Sequence, residues 1–130
     1  MKYFIFLLFV VILFSCDDPV TETQAIIQFR VDESIATQVD FPSTIINETS
    51  VKVLTINNVG QGKMSIKSVN FLTGSDSADF DISEITNALP ISIPADESVS
   101  FSIIFKPSHS GIHFAKVNFN GNFGTVDLKL

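Results

Sequence analysis

The sequence predicts an all-β fold, a single antiparallel β-sandwich of about seven strands. From Val99 to Phe105 and again from Val126 to Leu130, every second residue is apolar, which is the period of a strand with one buried face. Turn-forming residues punctuate the chain, for example at Pro107–Gly111. No long stretch shows the 3.6-residue period of an amphipathic helix. The chain contains one cysteine and no tryptophan, so it lacks the disulfide and tryptophan that mark antibody-type sandwiches.

Six segments show this alternation clearly enough to be predicted as strands. They are Ala25–Val31, Val51–Asn57, Met64–Phe71, Val99–Lys106, His113–Asn120 and Thr125–Leu130. Asn120-Gly121 suits a tight reversal between the last two, because both residues tolerate a positive φ.

The first sixteen residues have the pattern of an export signal. Lys2 is followed by the uncharged, apolar run Tyr3–Phe14 and the small Ser15, which is the order of a secretory signal peptide. As a helix the run spans about 18 Å, well short of the roughly 30 Å hydrocarbon layer. A permanent transmembrane helix is therefore the weaker interpretation.

Cys16 directly follows this run. The sequence Leu13-Phe14-Ser15-Cys16 resembles the bacterial lipoprotein consensus Leu-(Ala/Ser)-(Gly/Ala)-Cys, in which the signal is cleaved before the cysteine and the cysteine is acylated. This predicts removal of residues 1–15, lipidation of Cys16, a flexible acidic tether over residues 16–25 and a sandwich over residues 26–130. Acyl chains on Cys16 would anchor the chain in a membrane. An ordinary cleaved signal with a chance cysteine is the alternative.

Asp17 and Asp18 leave the choice of membrane open. Acidic residues directly after the acylated cysteine resemble signals that send lipoproteins to the outer face of the outer membrane in some Gram-negative groups. In other groups an aspartate there resembles an inner-membrane retention signal, and a hydrophilic spacer is the plainest interpretation. We favour the bacterial outer membrane with display at the cell surface.

Charge and cysteine content exclude several classes of protein. The formal net charge is −6, which disfavours nucleic acid as a partner. A single cysteine cannot form an internal disulfide, so stability must come from the core. The length suits one domain.

Four stretches, taken in order, resemble a known domain family. They are Asp40–Ser50, Leu54–Gly60, Gly74–Ile82 and Pro94–Gly111. Together they are similar to the bacterial immunoglobulin-like modules called choice-of-anchor D, relatives of the abnormal-spindle/hydin (ASH) and major-sperm-protein-like domains. The resemblance covers about residues 26–130. It implies an immunoglobulin-like sandwich that serves as a scaffold and carries no catalytic residues.

Three positions depart from the family pattern. Pro42, Asn47 and Asp96 stand where the family usually has glycine. Asn and Asp still accept left-handed backbone angles, whereas proline does not.

Two groups of residues could in principle hold a metal. His109 and His113 are the only histidines. In a turn followed by a strand we expect them to lie far apart, without a cysteine or a nearby acid to complete a zinc shell, so no metal ligand is assigned. Asp76, Asp79 and Asp81 lack the spacing of an EF-hand loop. A calcium site there is the alternative to a solvated acidic loop.

Asp76-Ser77-Ala78 resembles a short acceptor sequence for bacterial O-glycosylation, which makes Ser77 a candidate glycosylation site. No serine or threonine stands in a recognisable nucleophile motif. We therefore expect no enzyme and no cofactor.

Three functions remain as hypotheses. The first is a binding, adhesion or assembly-accessory module at the cell surface, anchored in the membrane through Cys16 and recognising a protein or glycan partner. Its candidate interaction site is an open edge strand, formed by Thr125, Val126, Asp127, Leu128, Lys129 and Leu130. The second is an inward-facing periplasmic lipoprotein that braces or spaces envelope components. The third is a small hydrolase or a hydrolase inhibitor, which would need a pocket with convergent polar groups.

Overall fold

Two antiparallel sheets face each other in the computed structural model, which describes residues 23–72 and 76–130. Within those ranges nine strands form, with a 3₁₀ turn at Ser77–Asp79. The strands are β1 (Ile27–Val31), β2 (Ser34–Ile35), β3 (Ser50–Asn58), β4 (Met64–Leu72), β5 (Phe80–Ile82), β6 (Ile91–Ile93), β7 (Ser98–Phe105), β8 (Lys116–Gly121) and β9 (Gly124–Lys129). One sheet has the order β2-β1-β3-β7-β5 and the other β6-β4-β8-β9.

This architecture confirms the predicted fold class, an all-β antiparallel sandwich. Each of the six predicted segments overlaps one of the six longer strands. The three strands that were not predicted, β2, β5 and β6, are two or three residues long. A period of two cannot be recognised over so few residues. Among the described residues, no helix has the length and apolar character needed to cross a membrane.

The core lies between the two sheets. Leu54, Ile56 and Ile103 of the first sheet are fully buried against fully buried residues of the second, such as Val117 and Leu128. Rings also cross the interface, since the centroids of Phe29 and Phe119 lie 4.8 Å apart. Each such side chain stabilises the fold by roughly 1.5–3 kcal/mol relative to leaving it exposed.

Asn58, at the end of β3, is a buried polar residue that joins several segments. Its side-chain amide nitrogen donates to three carbonyl oxygens, those of Gly62 at 2.7 Å, Ile93 at 3.1 Å and Pro94 at 3.1 Å. Its side-chain oxygen accepts from the backbone N–H groups of Ile26 and Gly60. Since the amide has two hydrogens, one of them is shared between two carbonyls.

The chain enters the sandwich beside Asn58. The backbone of Gly62 donates to the carbonyl of Gln24, and Ala25 is buried. A Cβ on Gly60 would lie 2.2 Å from the carbonyl oxygen of Gln24, so only glycine allows this close approach. The packed unit therefore begins before the predicted boundary at residue 26.

The sandwich has two distinct ends. The first, which we call the entry end, consists of residues 23–26, residues 59–63 and the turn of the β8–β9 hairpin. These segments meet through hydrogen bonds from Gly62 and Asn122. The far end consists of residues 40–49, 76–79 and 106–115. Strand β3 begins opposite Phe105 at the far end and finishes at Asn58. Nine extended residues separate the ends by about 27 Å.

Two of the three positions at which this chain lacks the family's glycine have left-handed backbone angles. Asn47 and Asp96 have φ values of 67° and 61°, in the left-handed region that asparagine and aspartate tolerate better than most residues.

We predict that Asn58→Ala will lower the free energy of unfolding by about 3 kcal/mol or more, because it leaves several buried carbonyl and N–H groups without partners. The measurement is urea unfolding followed by circular dichroism. Asn57→Ala is the matched control. The side chain of Asn57 makes one long hydrogen bond, to the carbonyl of Gln28 at 3.4 Å, so the loss should stay below about 1 kcal/mol. Equal losses for the two variants would contradict the role given to Asn58.

Candidate functional site

Four titratable side chains meet at the far end of the sandwich. Asp76, Asp79, His109 and His113 each offer a ligand atom, and these four atoms lie within 4.8 Å of one another. We call these residues the His–Asp cluster. Both aspartates are buried at 7% exposure, and the side chain of His113 is also buried.

Strand pairing brings the two halves of the cluster together. Asp76 directly precedes the 3₁₀ turn and Asp79 ends it; the turn leads into β5, and β5 pairs antiparallel with the end of β7. The backbone N–H of Lys106 donates to the carbonyl of Asp79 at 2.8 Å. The loop that follows β7 therefore starts beside the turn, and it carries both histidines.

Each histidine has one ring nitrogen on a backbone carbonyl and the other on a carboxylate. His109 Nδ1 lies 3.0 Å from the carbonyl oxygen of Ser110, and its Nε2 lies 3.2 Å from Asp76 Oδ1. His113 Nε2 lies 3.0 Å from the carbonyl oxygen of His109, and its Nδ1 lies 2.7 Å from Asp79 Oδ2. The two rings stack with centroids 4.2 Å apart.

The loop also holds both carboxylates directly. Ser108 Oγ donates to Asp79 Oδ2 at 3.2 Å. The backbone N–H of Phe114 donates to Asp76 Oδ2 at 3.0 Å. The cluster thus joins the 3₁₀ turn to the β7–β8 loop through several polar contacts.

The environment changes the acid–base properties of two members. Burial alone raises the pKa of Asp79, but hydrogen bonds from Ser108 and His113 outweigh it and hold the pKa below its usual value. Hydrogen bonds to the carbonyl of Ser110 and to Asp76 raise the pKa of His109.

The expectation that the two histidines lie far apart, with no acid nearby, is wrong. The expectation assumed that the first strand of the final hairpin starts at His113, whereas that strand, β8, starts at Lys116. Residues 106–115 fold back as a loop, which stacks the rings. The useful signal was the acid-rich turn directly before a short strand, but β5 was too short to predict.

Asp81 does not belong to the cluster. It lies in β5 between two buried residues and is itself exposed. The three aspartates considered for calcium therefore do not converge on one point: the structure groups two of them with histidine.

The cluster does not have the geometry of an activated serine. The His113–Asp79 pair would suit one, but Nε2 of His113 faces a backbone carbonyl, and Ser108 donates to the aspartate rather than to an imidazole. These contacts differ from a serine–histidine–aspartate arrangement, in which the imidazole accepts the serine proton.

A groove of about 530 Å³ opens beside the cluster, between residues 38–46 and the β7–β8 loop. Three apolar side chains at its rim are largely exposed: Ile45, Ile112 and Phe114, at 69%, 78% and 67%. Large exposed apolar side chains gathered at one place are typical of an interaction surface.

Strand β9 lies at the edge of the second sheet, and part of that edge is covered. The backbone N–H and carbonyl of Lys129 pair with Thr37 and Val39. By the alternation of an antiparallel ladder, the backbone groups of Thr125 and Asp127 face the same side. They form the open portion of the predicted edge site. Leu128 and Leu130 are buried in the core and cannot face a partner.

Two predicted modification sites remain, Ser77 and Cys16. Ser77 is half-buried in the 3₁₀ turn, next to Asp76, and its glycosylation stays a prediction. Cys16 lies outside the described residues, so its lipidation also stays a prediction.

Comparison with known proteins identifies the fold and nothing finer. No protein-family model matches the chain, and no curated protein matches it. Among solved structures, the chain is similar to the ASH / PapD-like domain of human CEP192 (PapD-like domain 7), with a TM-score of 0.54 and 21% sequence identity. The match covers 80% of this chain and 81% of that one. The likeness supports the expected ASH-type immunoglobulin-like fold.

The contacts of Asp127 on β9 predict how the stability of the fold depends on pH. Its carboxylate accepts from Asn118 at 2.8 Å and pairs with Lys116 at 3.1 Å. These contacts lower its pKa in the folded chain. A lowered folded pKa stabilises the fold above the unfolded pKa of about 3.9, and this contribution is lost as the pH falls through the folded value.

We therefore predict that Asp127→Asn will be less stable than the parent at pH 7, and that this difference will shrink below about pH 4. Urea unfolding at pH 7 and at low pH measures both variants. Asp81→Asn removes one exposed charge elsewhere and is the control. A difference that persists unchanged at low pH would contradict the assignment.

Proposed function

We propose that this chain is a non-catalytic, lipid-anchored module of the bacterial envelope, which binds a partner at the outer-membrane cell surface. It acts in binding, adhesion or as an accessory to an assembly, and its domain is of the choice-of-anchor D type. Support comes from the signal pattern ending at Cys16, from the ASH-type sandwich and from an exposed apolar surface beside the groove.

The main support for the proposal is that the exposed apolar surface lies at the end of the sandwich opposite the anchor. Cys16 lies seven residues before Thr23, so an anchored chain holds the entry end within about 25 Å of the acyl chains. The groove, with Ile112 and Phe114, lies at the opposite end of β3. This geometry favours presentation of the apolar rim away from the membrane, where a partner in solution or on another cell can reach it.

The groove is favoured over the edge strand as the contact surface. Only Thr125 and Asp127 present backbone groups to the open side of β9, whereas strand addition gains affinity from a row of main-chain hydrogen bonds. The groove offers exposed apolar side chains, and removal of apolar surface from water is the dominant favourable term in most protein association.

The second candidate is an inward-facing periplasmic lipoprotein that braces envelope components. The same anchor and sandwich fit it, and only the membrane face differs. The Asp17-Asp18 pair after the cysteine favours the cell surface over this alternative.

Lipidation is tested by feeding the native bacterium a fatty acid that carries an alkyne and detecting the label on the protein. The parent should be labelled and Cys16→Ala should not. Label on both, or on neither, in cells whose other lipoproteins are labelled, would contradict an anchor at Cys16.

The membrane face is tested by protease treatment of intact cells. Digestion of the protein, with a periplasmic control protein left intact, is the expected result. Complete protection, in cells whose surface proteins are digested, would favour the periplasmic alternative.

The contact surface is tested by placing a photo-crosslinking amino acid at Ile112 in living cells. Val53, which is 51% exposed on β3, is the matched control, and Thr125 probes the edge strand. We expect a discrete adduct from position 112 and none from position 53. An adduct from position 125 alone would move the contact to β9, and equal adducts at all three positions would contradict a defined surface.

A further inference from the structure

We propose that Asp76, Asp79, His109 and His113 bind a divalent transition-metal ion, for which zinc is the best fit. This inference is independent of the proposed function, because it concerns four side chains at the far end and would hold for either membrane face.

The orientation of the two rings is that of metal ligands. Metal-bound histidines almost always donate the second ring N–H to a carbonyl or carboxylate, which fixes the ring and its tautomer. Here the carbonyl of Ser110 holds Nδ1 of His109, and the carbonyl of His109 holds Nε2 of His113. With protons on those two nitrogens, His109 Nε2 and His113 Nδ1 offer lone pairs to an ion, and both atoms face the aspartates.

The balance of charge in the cluster also favours a bound cation. A lone pair of a neutral imidazole that faces a carboxylate oxygen is repelled by it, so either a proton on each ring nitrogen or one cation between the four groups must supply positive charge. Two carboxylates and two imidazoles meet at one place, and one divalent cation balances both carboxylates at once. Both aspartates are buried, which raises the cost of holding two negative charges so close together.

The distances allow four-fold coordination. Zinc binds nitrogen and oxygen ligands at about 2.0–2.2 Å, so adjacent ligand atoms of a tetrahedral site lie about 3.3 Å apart. The His109–Asp76 pair, at 3.2 Å, is already at that spacing, and the His113–Asp79 pair, at 2.7 Å, has room to open. The largest separation is 4.8 Å, so closure needs movements of about 1.5 Å.

The donor set selects the class of ion. Imidazole with carboxylate suits zinc and its neighbours, whereas calcium and magnesium prefer oxygen alone. Four protein ligands leave no open coordination position, which is typical of a structural site. The ion would tie the 3₁₀ turn to the β7–β8 loop and so fix the loop that carries Ile112 and Phe114.

The test is a zinc titration of the full chain in detergent, against a chromogenic chelator. All samples carry Cys16→Ser so that no thiol competes, and none carries a histidine tag. His109→Gln is the main variant, since the side chain of His109 is 53% exposed and its replacement should leave the fold intact. Asp81→Asn is the matched control, because it removes a neighbouring carboxylate outside the cluster.

We expect one zinc ion per chain for the parent and for Asp81→Asn, and an affinity at least about 100-fold weaker for His109→Gln. Free zinc at about 100 times the dissociation constant should raise the Tm of the parent by about 10 °C. Equal zinc affinity in the parent and His109→Gln, or preference for calcium or magnesium over zinc, would overturn the proposal.

A second measurement does not depend on stability. Nitrogen NMR of the histidine rings with excess zinc should show metal-bound Nε2 of His109 and Nδ1 of His113, with protons on the other two nitrogens. Two doubly protonated rings under those conditions would show that protons alone occupy the cluster, and would overturn the proposal.

Discussion

The buried amide of Asn58 is the interaction on which the rest of the structure depends. It connects the end of β3 to the entering chain at Ile26, to the following turn at Gly60 and to the end of β6 at Ile93. These segments belong to both sheets, so one side chain fixes how the sheets meet at the entry end. A buried polar group of this kind is costly unless fully paired, which makes the arrangement specific.

The two ends of the sandwich are built differently because they meet different requirements. The entry end is closed by backbone contacts so tight that Gly60 and Gly62 have no space for a side chain. The far end has longer loops, an aromatic group in which Phe80 and Phe105 stack at 4.8 Å, and exposed apolar residues. Tight packing at the entry end thus contrasts with longer loops and exposed apolar side chains at the far end.

The His–Asp cluster follows from antiparallel pairing rather than from any motif. The two aspartates and the two histidines are separated by about thirty residues along the chain, as the sequence differences of 33 and 34 between bonded partners show. They meet because β5 pairs with the end of β7, which places the turn before one strand beside the loop after the other. Any residues at those two positions would be neighbours, and here they are two acids and two imidazoles.

The sequence alone determined the fold class and the approximate position of the six longer strands, apart from the start of β8, because alternation over five or more residues indicates a half-buried strand. The left-handed backbone angles of Asn47 and Asp96 also agree with the local chemistry of these two residue types. Tertiary structure alone decided the short strands, the covered part of β9 and the His–Asp cluster. Those features depend on which distant segments pair, and neither composition nor local spacing encodes a contact between residues 76–79 and 109–113.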